Sequence, residues 1–268
     1  MLAKVKSGFE MQVDFSIVPG DLIVYFIAVI YAAMILTIAD IARKRYNLGS
    51  EVTRRIVHLF AGAAIWTVPY YPHPWVATLV ALTFVIMLAL ANTDRFSGFF
   101  AAMARPEDLE NNSVRGPFWY AVSITILTGL FTFTGYYELY FIPAAAIHIM
   151  MFGDGMGAPI GIKYGKNSTR QIFGSKRSPQ GTFAVFIFGF LGVILACWWF
   201  GIVSMINPIF ISSGNILWFE IIVLALVGAF TGMIVELVSP KGTDNITLPF
   251  ITCAVLFAVA WQLGLVVL

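Results

Sequence analysis

Leu139–Ile162 reads LYFIPAAAIHIMMFGDGMGAPIGI, an apolar run interrupted by a single carboxylate, Asp154. A run of that length can span a bilayer. A carboxylate inside one is costly and marks a functional site by default. Glycines recur every fourth residue, at Gly153, Gly157, Gly161 and Gly165, so on a helix they share one face. Such a stripe lets a second helix, or a ligand, approach the backbone closely. Glycines alone would indicate a packing seam beside a snorkelling aspartate. The segment 163–180 behind them changes that reading, because it carries Lys163, Lys166, Arg170, Lys176 and Arg177 and leads into Ser178-Pro179-Gln180-Gly181-Thr182. A carboxylate beside that many cations points to metal and phosphate, so the segment is expected to be a nucleotide-binding loop.

Composition places this stretch in a membrane protein. The 268 residues are 59% hydrophobic and only 11% charged, with a mean hydropathy of +0.86. That is the balance of a polytopic helical chain rather than of a soluble domain. The net charge of +2 is small, and nucleic acid is not an expected partner. Cys197 and Cys253 both fall in apolar spans and imply no disulfide framework. The first apolar segment is too long for a signal-peptide core and is read as a retained span.

The fold expected is all-α, a single integral membrane domain over residues 1–268 with a short N-terminal segment, 1–19. Eight spans of bilayer length fit: Asp21–Ile41, Thr53–Pro69, Pro74–Ala91, Pro117–Thr134, Leu139–Ile162, Pro179–Val203, Ile216–Leu237 and Thr247–Val267. With this count, fourteen of the sixteen Lys and Arg residues fall on one side, leaving only Lys4 and Lys6 on the other. The positive-inside rule makes the cation-rich side cytoplasmic and puts both termini outside. The even-numbered spans then begin at that side, where their N-terminal amides favour anions. Thr53, Ser178 followed by Pro179, and Thr247 are the expected caps.

The other unusual polar residues gather at the same face. Arg54, Arg55 and His58 open the second span; Arg54 and His58 share a helical face, with Gly62 one turn deeper. A phosphate-side role competes there with a plain core histidine. Asn92, Asp94 and Arg95 close the third span, where a solvated helix end is the competing reading. Glu236 ends the seventh span, and Asp244-Asn245 precede the eighth. Carboxylates flanking a tight turn could hold Mg²⁺, which takes one or two of them plus phosphate oxygens and water; turn and cap chemistry is the alternative. His148 and His73 are assigned no role. Asp154 lies about fifteen residues into its span, roughly 22 Å at 1.5 Å per residue, one or two turns below the cytoplasmic surface. A nucleotide from the cytosol and a lipid head group from the leaflet could both reach it.

Three of these motifs together resemble one family. Arg54-Arg55-Ile56-Val57-His58-Leu59-Phe60-Ala61-Gly62 looks like the Arg-Lys-x-x-His-x-x-x-Gly signature of the CTP-dependent polyprenol kinases. The Gly153-Asp154-Gly155 segment through Gly161 and Gly165 resembles their Gly-Asp-x-x-Ala-x-x-x-Gly-x-x-x-Gly element, with an opening most like that of phytol kinases. Glu236 followed by Asp244-Asn245-Ile246-Thr247-Leu248-Pro249 resembles their Glu…Asp-Asn-x-Thr-x-Pro ending. Two departures stand out. Gly157 replaces the usual alanine, and Gln180 stands where many relatives carry a carboxylate, which removes any metal role from that position.

The resemblance implies an integral membrane lipid kinase that moves the γ-phosphoryl group of CTP onto an isoprenoid alcohol such as phytol, geranylgeraniol or farnesol. On that reading Asp154 holds Mg²⁺, with Asp244, Asp94 or Glu236 as partners. Gly153, Gly157, Gly161, Lys163, Lys176, Arg177, Ser178, Gly181 and Asn245 would bind the nucleotide. Arg54, Arg55 and His58 would serve the reacting hydroxyl, with His58 as a candidate base. Membrane lipids surround the spans, and the active site opens at the cytoplasmic face. A cytidylyltransferase making a CDP-lipid is the nearest competing chemistry. A transporter using Asp154 as an ion site is the other, but it would call for inverted repeats or further mid-membrane acids, and neither is present in the sequence.

Overall fold

Phe141 through Met151 are buried on every side in the computed structural model, which describes residues 13–91, 115–203 and 216–266. A helix apolar all round belongs in the middle of a bundle, and the other elements are arranged about this one. In chain order they are α1 (Pro19–Tyr46), α2 (Ser50–Ala61) running on as 3₁₀ turns over Gly62–Tyr70, α3 (Val76–Ala91), α4 (Arg115–Thr132) and α5 (Phe141–His148). A π-helical turn, Ile149–Asp154, then joins α5 to α6 (Gly155–Tyr164) in one continuous rod. A hairpin of β1 (Arg170–Ile172) and β2 (Ser175–Arg177) follows. The chain ends with α7 (Pro179–Cys197), extended by a π-helical Trp198–Val203, then α8 (Trp218–Val238) and α9 (Asp244–Gln262).

These make eight helical rods among the described residues, matching the eight expected spans in order. Five are long and apolar enough to cross a membrane: α1, the α5–α6 rod, α7 with its extension, α8 and α9. Two shorter apolar helices lie within α3 and α4. The chain is an all-α polytopic membrane protein. The second rod is the exception to the apolar pattern, with a polar, amphipathic α2 that buries Thr53 and Val57 and turns Val52 and Phe60 outward.

Over its apolar stretch the α5–α6 rod is 83% buried, against 22% for α1. The span that carries Asp154 is therefore the one furthest from lipid. One group of helices packs α1 on α2 and α3 on α4; the other packs α7 on α8 and on the central rod. Helix α9 closes the bundle by touching both α4 and α5.

Two of the three expected helix starts move. The second rod begins at Ser50 with Gly49 at its cap, leaving Thr53 a buried residue inside the helix. Helix α9 begins at Asp244 after Thr243, and the Thr247 hydroxyl instead bonds back to the Thr243 carbonyl at 3.0 Å. Only Ser178 caps as expected: its Oγ accepts from the Gly181 amide at 3.2 Å, with Pro179 at the first helical position. The polar loop is also more ordered than its sequence predicts, since Arg170 pairs with Arg177 and Ile172 with Ser175.

Candidate active site

The π-helical turn sets the geometry at Asp154. Shifting the backbone pattern to i→i+5 displaces carbonyls from their usual partners, and isolated π turns recur at functional sites. Here side chains of helix α2 reach two carbonyls of the turn. His58 Nε2 lies 2.8 Å from the Met150 carbonyl oxygen and 3.4 Å from Asp154 Oδ2. A carbonyl only accepts, so Nε2 carries the hydrogen. Arg55 Nη1 donates to the Asp154 carbonyl oxygen at 3.2 Å. The Asp154 side chain is 14% exposed, with His58 beside it and the guanidinium charges of Arg55, Arg54 and Arg177 acting on it. The aspartate is therefore held and surrounded by cations rather than snorkelling.

Gly62 explains the spacing one turn after His58. A Cβ there would collide with the Tyr120 hydroxyl and the Met151 side chain. With glycine present, Tyr120 comes in close, donates to the His58 carbonyl at 2.9 Å, and sets its ring 4.4 Å from the imidazole.

Two spaces flank this cluster, and Asp154 itself lines neither. On the loop side a cleft of about 560 Å³ is lined by Lys166, Arg170, Lys176, Arg177, Ser178 and Thr182. Glu236 forms part of its wall and is ion-paired to Arg177. Both partners are incompletely satisfied: Glu236 Oε2 and Arg177 Nε and Nη2 are buried without a hydrogen-bond partner. On the other side an apolar cavity of about 100 Å³ runs between α1, α2, α3 and α4. Its walls are alanine, leucine, valine, isoleucine and phenylalanine, with Arg54, His58, Tyr120 and Asn245 as polar lining near Asp154.

No family model matches the chain, and no solved structure gives a significant match. Two curated relatives do. A phytol kinase from Synechocystis sp. is 27% identical over 226 residues, covering 83% of this chain and 85% of that protein. A probable chloroplastic phytol kinase 2 from Glycine max is 25% identical over 231 residues, covering 84% of this chain and 71% of that protein. The chain is thus similar in sequence to two phytol kinases over most of its length.

In this chain the glycine stripe is first of all a seam. Gly153 faces Val185, Gly157 faces Val185 and the Gly181 carbonyl, and Gly161 and Gly165 both press on Ser178. A Cβ at Gly165 would overlap the Ser178 side chain. Gly157, Gly161 and Gly181 nonetheless border the basic cleft, whereas Gly153 does not. The seam therefore sets the Ser178 helix start directly beside the loop cations.

Several expected ligands are relocated. Lys163 is exposed and lies over the ring of its neighbour Tyr164, 5.0 Å from the centroid, outside the cleft. Asn245 lines the apolar cavity, not the basic cleft. Its Nδ2 donates to the Gly116 carbonyl at 3.0 Å, and its own carbonyl accepts from Ser123 at 2.6 Å, tying α9 to α4. Asp244 accepts from the Asn245 amide at 3.0 Å and lines neither space. Asp94 lies outside the described residues. Among the described residues no three His, Cys, Asp or Glu side chains converge into a metal cage. Gln180, in the place of the family's carboxylate, accepts from the Ser168 hydroxyl at 2.7 Å and so pins the loop.

Tyr120, Ser123 and Met150 are participants that sequence reasoning missed. Tyr120 and Ser123 lie in an ordinary apolar helix, and Met150 acts through its carbonyl, which no side-chain pattern reveals. His148, assigned no role from sequence, is tied into the bundle: Nδ1 donates to Ala144 at 2.7 Å, and Nε2 accepts from Trp66 at 2.8 Å.

Proposed function

We propose that the chain is an integral membrane kinase that transfers the γ-phosphoryl group of CTP to the hydroxyl of an isoprenoid alcohol of the phytol, geranylgeraniol or farnesol class. The observation that carries this is the pairing of a cation-lined cleft, walled by Arg177 and Glu236, with an apolar cavity that reaches His58 beside Asp154. A triphosphate belongs in the first and a prenyl tail in the second. The likeness to two phytol kinases supports the same assignment.

The chemistry asks mainly for positioning and charge neutralisation. The alcohol oxygen forms a bond to the γ-phosphorus, the bond to the β-phosphate oxygen breaks, and CDP leaves. The hydroxyl proton departs late, onto a phosphoryl oxygen, so no strong base is needed. Lys166, Arg170, Lys176 and Arg177 hold the phosphates, assisted by the amides at the Ser178 helix start. Arg54 and Tyr120 shape the mouth through which the hydroxyl approaches. His58 and Arg55 fix the π turn, and with it Asp154. The donor set suits a metal that arrives with the nucleotide: Asp154 and the unpartnered Glu236 Oε2 supply the one or two carboxylates that Mg²⁺ takes from protein. When bound, Mg²⁺ would neutralise charge on the transferring phosphoryl group. We place this site at the cytoplasmic face, following the cation distribution.

The deciding experiment incubates the purified protein in nanodiscs with CTP, Mg²⁺ and a panel of prenols and diacylglycerol, then identifies the nucleotide product. CDP together with a prenyl monophosphate supports the kinase. Pyrophosphate with a CDP-lipid would replace it with a cytidylyltransferase, and no turnover with any alcohol would remove it.

A further inference from the structure

The turn of the β1–β2 hairpin is made of Phe173 and Gly174, with φ of 45° and 81°. Two consecutive residues at positive φ make the primed turn that two-residue hairpins favour, and its first position prefers asparagine, aspartate or glycine. For a bulky residue that conformation is a true outlier and carries strain. Phe173 thus opposes its own backbone, and the protein gives little packing in return, because the residue is 64% exposed. Local rules broken without internal compensation point to a contact outside the chain.

The surroundings of the tip indicate what that contact is. The hairpin does not project away from the bundle. The Phe173 carbonyl accepts from the Lys241 amide at 3.2 Å, which lays the tip over the α8–α9 turn. Immediately before that turn, α8 exposes Ile234 and Val238, so the tip meets the edge of an apolar, lipid-facing surface. Exposed cations surround it at Lys163, Lys166, Arg170, Lys176 and Lys241, and exposed Ile162 and Tyr164 end the preceding helix. An aromatic among cations at the end of membrane spans is the composition of a bilayer interface, where amphipathic rings and basic side chains meet head groups. Phe173 is also absent from the lining of the basic cleft, which argues against stacking on a nucleotide base.

We propose that Phe173 is an interfacial anchor that inserts into the head-group region of the leaflet beside α8. The same hairpin carries Arg170, Gln171, Lys176 and Arg177 of the cleft wall. Anchoring its tip would therefore fix the cleft's outer wall relative to the bilayer. This inference depends only on the chain spanning a membrane, not on the reaction it performs.

The test is a spin label at Phe173→Cys, in a background with Cys197→Ala and Cys253→Ala, in nanodiscs containing anionic lipid. A label at Asn167→Cys, exposed earlier in the same loop, is the aqueous reference. Collision with oxygen relative to a water-soluble nickel chelate should be several-fold higher at position 173 than at position 167, and unchanged by CTP with Mg²⁺. Equal ratios at the two positions would overturn the anchor. A label that is water-exposed until CTP is added would overturn it too, by assigning the tip to the nucleotide. The exposed tip tolerates the label, and an unaltered gel-filtration profile confirms the fold.

Discussion

His58 commits its Nε2 hydrogen to the Met150 carbonyl, 2.8 Å away, one turn before the aspartate it also approaches. That atom is therefore a donor in this arrangement, which favours a positioning role for His58 beside the sequence expectation of a base. His58→Gln keeps an N–H donor and should lose less than the ~10²-fold that removing a general base costs. His58→Ala removes a buried hydrogen bond to the Met150 carbonyl and should destabilise the protein by about 0.5–1.5 kcal/mol. Turnover at saturating CTP and prenol, beside thermal melts, checks both. A loss of ~10²-fold or more in His58→Gln would restore the base.

Asp154→Asn should nearly abolish turnover while the protein stays folded. The amide keeps the size but removes the charge that a metal–phosphate complex requires, and a neutral group costs less in a membrane interior. Near-normal rates with Mg²⁺ would make Asp154 purely structural.

Lys176 and Lys163 are both loop cations in sequence, but only Lys176 lines the cleft. Lys176→Ala should raise KM for the nucleotide with little change in kcat, the signature of binding shared by ground and transition states. Lys163→Ala should leave both constants near wild type. Equal effects from the two would mean that charge density matters more than position.

Orientation can be read separately. An impermeant thiol reagent should reach Ser175→Cys from the cytoplasmic side of sealed vesicles only. Labelling from outside would invert the topology expected from the cations.

At the opposite end of α1, His73 lies 2.8 Å from Asp21 and 3.4 Å from Asp14. Its hydrogen bond to Asp21, opposed in part by burial and helped by both carboxylate charges, raises the imidazole pKa above its usual value. A group raised on folding contributes stability that is complete below its unfolded pKa and lost as pH rises through the folded value. Melting temperature should therefore fall from mildly acidic pH into the range above the ordinary imidazole pKa. His73→Gln should flatten that slope; an unchanged slope would mean that another group carries it.

The number and order of the helical rods were legible because apolar length is a long-range pattern that single residues do not disturb. Ser178 was legible because Ser-Pro is a strong local start signal. Thr53 and Thr247 misled because each lies a few residues inside a helix whose real start carries no comparably clear signal. The Gly153–Gly165 stripe was visible, but its partner was not, since only the fold shows that Ser178 and Val185 fill it. The apolar cavity was invisible for a related reason: it is assembled from small residues on four rods, each unremarkable alone.

The seam between α6 and α7 also bears on how such a protein can diverge. Gly165 and Ser178 are locked together, so the intervening hairpin leaves the bundle and returns to it at one fixed joint. Between them the hairpin is held at separate points, by Ser168 on Gln180, Phe173 on Lys241 and Arg177 on Glu236, whereas a methyl group at Gly165 would overlap Ser178 at the joint itself. Change in this region is thus expected in the hairpin first, while the joint between the two helices is inherited unaltered.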